Sequence, residues 1–154
     1  MDLHRHRFRS VWRFTAAAGA VFDVLADLDG YPRWWPQVRT VERVDADTAL
    51  VTCRSVLPYT LRLRLTRTAQ DAAAGILVAR VEGDLDGWSG WTVRREGSGT
   101  AAVFEQEVVT RRALLRRLAP LVRPVLRVNH AWMMLSGRRG LARALSDSGA
   151  PRPA

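Results

Sequence analysis

Residues 123–145 read RPVLRVNHAWMMLSGRRGLARAL. With the residues just before it, this segment predicts one long terminal helix over about 112–146. Pro120 and Pro124 sit in its early part and predict a kink or a restart there, because proline removes a backbone donor and crowds the preceding turn. On a helical wheel, Leu118, Val122, Val125, Asn129, Trp132, Met133 and Ser136 share one face, with Arg116, Arg123, Arg127 and Arg138 on or near the far side. A helix with such a face must bury it against something, and the chain upstream offers one large surface, a sheet.

The sheet is read from alternation. In residues 7–14, RFRSVWRF, the side chains of Phe8, Ser10, Trp12 and Phe14 face one way and Arg7, Arg9, Val11 and Arg13 the other, the pattern of a half-buried strand. Thr15 offers an N-cap hydroxyl. Val21, Phe22, Val24, Leu25 and Leu28 then follow at helical spacing, predicting a helix over about 16–28 that Gly30 and Pro32 end. Residues 33–36 suit a short second helical turn. Strand-like runs come next at about 38–45, 48–57, 59–70, 75–84, 88–96 and 100–111. In YTLRLRLTR, residues 59–67, Leu61, Leu63 and Leu65 oppose Arg62 and Arg64; in TAAVFEQEVVT, residues 100–110, Phe104, Gln106 and Val108 oppose Glu105 and Glu107. Sequential strands joined by short loops predict an antiparallel sheet, greasy on one face and charged on the other. The fold class is α+β.

Composition limits the rest. The chain has 154 residues, 47% of them hydrophobic, enough for one domain with a real core. That domain is expected over 1–147, with a disordered tail over 148–154. No apolar run is long enough to predict a transmembrane helix. The basic N-terminus lacks an apolar h-region, so no signal peptide is expected and the cytoplasm is the default location. A single cysteine, Cys53, excludes an internal disulfide and a cysteine-based zinc site. His4, His6 and His130 lack metal-ligand spacing, and neither a metal nor a cofactor is expected. The net charge is +9, and all 24 basic residues are arginine, which reads first as a compositional bias. As a surface, Arg7, Arg9, Arg13, Arg39, Arg43, Arg62 and Arg64 would form a basic stripe on the outer face of the sheet, suited to peripheral contact with an anionic membrane. Nucleic acid fits less well, with no helix to enter a groove and no aromatic platform among those arginines. Monomer and homodimer are both compatible with the sequence.

Residues 20–38, AVFDVLADLDGYPRWWPQV, follow the first strand; 83–93, GDLDGWSGWTV, and 99–108, GTAAVFEQEV, lie in the late strands; 123–145 close the chain. In this order the sequence resembles the START-like superfamily, also called SRPBCC, with its helix-grip fold: a curved antiparallel sheet gripping a long C-terminal helix, with a short helix pair after the first strand. The nearest likeness is to the polyketide cyclase/dehydrase and coenzyme Q-binding-like members, over about residues 7–146. The resemblance implies a cavity between sheet and helix, roofed by loops and by the segment after the first helix.

That cavity gives the aromatic residues a role. Tyr31, Trp34 and Trp35 would form its wall or its rim, since rigid rings give large contact area at small entropic cost. The alternative is that the tryptophans only pack the helix pair onto the sheet. Adjacent positions do not ordinarily both face inward, so one of the two tryptophans is expected to be partly exposed. Trp88 and Trp91 fall on opposite strand faces, and Trp91 is assigned to the cavity. Asn129 lies in the apolar stripe of the last helix and needs a partner, whether Gln106, water or a ligand, because an unpaired buried amide costs about 1–3 kcal/mol. Trp132 and Met133 complete the candidate ligand-binding set with Gln106, and His130 is read as a boundary residue. The expected function is binding of a hydrophobic small molecule: a lipid, an isoprenoid quinone or a polyketide-like aromatic. The alternative is a polyketide aromatase/cyclase working in the same cavity. Against it, the sequence offers no base with a partner to orient it, and neither a nucleophile elbow nor a phosphate loop.

Overall fold

The computed structural model describes residues 5–54, 60–111 and 119–149. Strand β1 (Arg5–Phe14) leads into helix α1 (Ala18–Ala26), a single 3-10 turn (Leu28–Gly30) and the short helix α2 (Tyr31–Trp34). Six strands follow: β2 (Val38–Arg43), β3 (Thr48–Arg54), β4 (Thr60–Asp71), β5 (Ile76–Gly83), β6 (Leu85–Glu96) and β7 (Gly99–Thr110). Helix α3 (Ala119–Gly149) closes the chain. The sheet has seven strands in the order β1-β7-β6-β5-β4-β3-β2, every neighbouring pair antiparallel. The protein is a helix-grip fold.

Alternation decides which way each strand faces. Trp12 stands opposite Ala102, Trp91 opposite Phe104, and Ser89 opposite Gln106, all on the concave side. The convex side carries cross-strand ion pairs: Arg5 and Arg7 with Glu107, Arg9 with Glu105, Arg13 with Glu96. Of the seven arginines expected to form a basic stripe, Arg7, Arg9, Arg13 and Arg43 are thus engaged by acids, Arg43 by Asp29. Such exposed pairs contribute little each, but they hold register and reduce the bare positive charge of that face.

The sheet bends where the sequence permits it. Gly87, in β6, has φ +152°, and a Cβ there would collide with the Glu107 carbonyl of β7. A side chain at 87 would force the two strands apart, so glycine is what allows them to close up and curve. A bulge between Arg67 and Ala69 in β4 adds to the bend. The strand expected from 88 starts instead at Leu85, because both Gly87 and Gly90 lie inside it.

The last helix differs from the expected one in its course and in its buried face. From Ala119 it runs as one helix with Pro124 inside and no restart; that proline is within two turns of the helix start, where it removes one early hydrogen bond. The expected stretch 112–118 lies outside the described residues. The helix also reaches Gly149, two residues into the expected tail, the rest of which is likewise outside the described residues. The buried face is turned by about a quarter turn from the expected one. Leu126, Asn129, His130, Met133, Met134, Gly137 and Leu141 face inward, whereas Val125 is 46% and Trp132 48% exposed.

Beneath the C-terminal half of α3 lies an aromatic cluster. Trp12 packs edge-on against Trp91 (4.7 Å between ring centres), Trp35 (5.5 Å) and Trp34 (6.5 Å). Gly137 lets two of these rings touch the helix backbone: an added Cβ would lie 2.6 Å from Trp35 and 2.8 Å from Trp12. Gly140 sits directly on the Trp34 carbonyl. The Trp35 indole N–H donates to the Met133 carbonyl (3.0 Å). Trp34 and Trp35 are therefore both buried, each 7% exposed and mutually stacked, against the expectation that one would be partly exposed. A short helix clamped between a sheet and a second helix has two covered sides, and successive side chains about 100° apart reach both.

Candidate functional site

Between the concave sheet and the N-terminal half of α3 lies a cavity of about 270 Å³. Curvature at Gly87 opens it, and Tyr31 of α2 and Trp35 directly after that helix close one end. Its sheet wall includes Leu63, Val81, Trp91 and Phe104; its helix wall includes Leu126, Asn129, His130 and Met133. Six of the expected site residues meet here: Tyr31, Trp35, Trp91, Gln106, Asn129 and Met133. The other two do not. Trp34 and Trp132 line a separate groove between α1, α2 and α3, Trp34 because it lies on the far side of α2 and Trp132 because of the rotated helix face. Trp88 points away on the convex face, 40% exposed.

Polar side chains are a minority on this wall. Tyr31 donates its hydroxyl to the Leu25 carbonyl (2.7 Å), and burial holds that hydroxyl well above its ordinary pKa, so it stays protonated. Burial likewise pushes the Cys53 thiol up to about 12, which leaves it an unreactive wall group. Arg43 and Arg67 stand at one edge, each paired with an aspartate, Asp29 and Asp47. Asn129 is half-buried, and its amide N–H reaches only the Met133 sulfur, at 3.8 Å. Its Oδ1 is buried without a partner, so of the three partners considered Gln106 is not the one. Among the described residues no cluster of His, Cys, Asp and Glu could hold a metal ion, and no helix is long and apolar enough to cross a membrane.

His130 is the residue the sequence misplaced. It is not a boundary residue but part of the wall, stacked on Phe8 at 3.8 Å and near Phe104 at 6.1 Å. The signal was present: Phe8 and Phe104 both belong to the inward-facing set, and an aromatic face calls for a flat partner. Burial lowers the His130 pKa from 6.5 to about 4. Between those two values the unfolded chain takes up a proton that the folded chain refuses, so stability falls as pH drops through this window. A loss of about 2 kcal/mol at pH 5 relative to pH 7 is expected from this one group, read by urea denaturation. His130→Phe keeps the stacking and should flatten that slope; an unchanged slope would assign it to other groups.

Comparison with known proteins agrees with this geometry. The family model described as polyketide cyclase/dehydrase and lipid transport matches residues 5–145. Among solved structures, a protein of Thermus thermophilus superposes with a TM-score of 0.83 at 16% identity, over 94% of this chain and 100% of that one. The Zhui aromatase/cyclase of a Streptomyces species superposes with a TM-score of 0.80 at 17% identity, over 96% and 100%. The di-domain aromatase/cyclase BexL of the BE-7585A biosynthetic pathway gives 0.72 at 16% identity, over 98% of this chain and 52% of that one. At such identities the likeness is one of fold. No curated protein matches the sequence.

Proposed function

Because the chain belongs to the polyketide cyclase/dehydrase and lipid transport family, whose helix-grip cavity is characteristic of proteins that bind hydrophobic small molecules, we propose that it binds a compact, ring-shaped apolar ligand without transforming it. The observation that carries this reading is the 270 Å³ cavity with its apolar wall. An apolar cavity of about 150 Å³ takes one benzene ring, so this one takes roughly two fused rings. A polyketide-like aromatic or a quinone head fits within it, while a long isoprenoid or acyl tail would extend outside.

The aromatase/cyclase alternative asks for a general base near neutral pKa beside the ligand. On this wall the imidazole of His130, at about 4, is a weak base, and among the described residues no side-chain hydrogen bond orients it. Tyr31 and Cys53 keep their protons. That chemistry favours a binding protein.

Native mass spectrometry of freshly purified protein, followed by denaturing extraction, tests the proposal. A co-purified aromatic or quinone near one per chain is the expected result. Turnover of a poly-β-ketone by the pure protein would sink the non-catalytic reading. Binding should also persist at about 0.5 M salt, since a mostly apolar wall owes little to screened charges.

A further inference from the structure

Among the described residues, three of the seven large apolar side chains left exposed lie on one helix, α3. Val125, Val128 and Trp132 recur at spacings of three and four, so they form one stripe along it. They are 46%, 71% and 48% exposed. The other four, Val44, Leu50, Ile76 and Trp88, lie on three different strands and in one turn. Leu126, Asn129, His130 and Met133, from the same turns of α3, line the cavity, so the stripe points away from the sheet. A contiguous apolar patch of this kind marks an interaction surface.

The charge around the stripe says what it meets. Along α3 the chain has five arginines, Arg123, Arg127, Arg138, Arg139 and Arg143, and no acid before Asp147. Arg127, Arg138, Arg139 and Arg143 are exposed, and none forms an ion pair with a described residue. Arg139 and Arg143 border the outer groove, which also holds Asp23, Asp27 and Asp147; Asp27 is taken by Arg33. Arg127 and Arg138 lie on the opposite flank of the stripe, outside that groove. Apolar side chains with a tryptophan, bordered by cations on long stems, match the boundary of an anionic lipid layer. A second copy of the chain on this face would set five arginines against five, with one aspartate from each helix to offset them. Nucleic acid would leave the valines without a counterpart.

We propose that the outer face of α3 docks on an anionic lipid surface. Val125, Val128 and Trp132 enter the layer, and the four exposed arginines meet its headgroups. The membrane surface is thereby this helix and not the convex sheet face, where Arg7, Arg9 and Arg13 are held by glutamates. Docked in this way, the cavity lies one helix diameter, about 10 Å, from the lipid.

Sedimentation with vesicles tests the proposal. Phosphatidylcholine vesicles containing about 30% phosphatidylglycerol should bind the protein about tenfold more tightly than phosphatidylcholine alone. Most of that preference should be lost at about 0.5 M salt. Val128→Asp should lower the affinity about tenfold, and Arg127→Ala and Arg138→Ala about fivefold each. Arg62→Ala and Arg64→Ala, on the convex face, should change it by no more than about twofold. Brominated lipid locates the face: its quenching of tryptophan emission should vanish in Trp132→Phe and persist in Trp88→Phe, Trp88 being the exposed tryptophan of the convex sheet. The reverse would place the lipid on the sheet and overturn the proposal. So would the absence of binding to anionic vesicles, or unchanged binding by Val128→Asp. A dimer in solution that Val128→Asp splits would assign the face to a second copy and overturn it as well. Should Val128→Asp not fold, the quenching pair still decides. The cavity ligand is read separately, by mass spectrometry without added lipid, so vesicle docking and the ligand-binding reading can fail independently.

Discussion

Gly140→Ala should destabilise the protein by about 3 kcal/mol, although alanine is the better helix former. In an open helix the change would gain roughly 1 kcal/mol. At 140 the added Cβ would be placed on the Trp34 carbonyl oxygen. That obstacle is backbone, so no rotamer change relieves it, and α2 and α3 must separate. Separation breaks the Trp35 bond to the Met133 carbonyl and the close packing of Trp35 on Gly137. Gly19→Ala is the control: in α1 an added Cβ meets nothing within 4 Å, and the change should stabilise by about 0.5–1 kcal/mol. Urea midpoints measure both. If the two variants moved in the same direction, the contact between α2 and α3 would not exist as described.

Trp12→Ala should cost about 4 kcal/mol, the largest loss expected of any truncation in the core. Trp12 is 2% exposed and touches Phe14, Trp34, Trp35 and Trp91, so one side chain joins β1, α2 and β6, and it also underlies Gly137 of α3. Its removal leaves a void bounded by rings too large to collapse into it. Trp12→Phe, which keeps a ring there, should lose clearly less. Chemical denaturation of both variants, with an unchanged urea slope, is the check; a loss below about 1 kcal/mol for Trp12→Ala would mean that the surrounding rings close the gap unaided.

What the sequence disclosed follows from periodicity. Arginines and glutamates alternating with Phe, Leu and Val determined the strands and their inner faces, because a period of two admits only two answers. A helix admits any rotation, and here the clues conflicted. Val125, Val128 and Trp132 are apolar yet exposed, while the inner stripe includes Asn129, His130 and Gly137, residues that hydropathy places outside. Gly137 and Gly140 held the missing information: two glycines inside one helix weaken it unless something packs closely on them. Reading them as contact points would have turned the wheel to its observed face and brought His130 into the cavity. Tyr31, Trp35 and Trp91 were legible as wall residues from their place in the fold. The separation of Trp34 from Trp35 was not, because it depends on α2 being covered from two directions.

The same glycines govern how α3 could ever move. Between Met133 and Leu141 the helix is riveted: an indole holds one carbonyl, two tryptophan rings press on Gly137, and a peptide group presses on Gly140. Sliding along its axis would drive larger side chains into those seats, and rolling would expel Leu141, which is fully buried. Any freedom left to it would be that of a lever arm, pivoting near Gly137 and carrying Leu126 beside the cavity. Over the roughly 11 residues between those two positions, at about 1.5 Å each, the arm is roughly 16 Å long, so a swing of about 10° at the pivot displaces its tip by about 3 Å. A small angular play at a tightly seated pivot thus becomes, at the cavity end, a displacement comparable to the thickness of an aromatic ring.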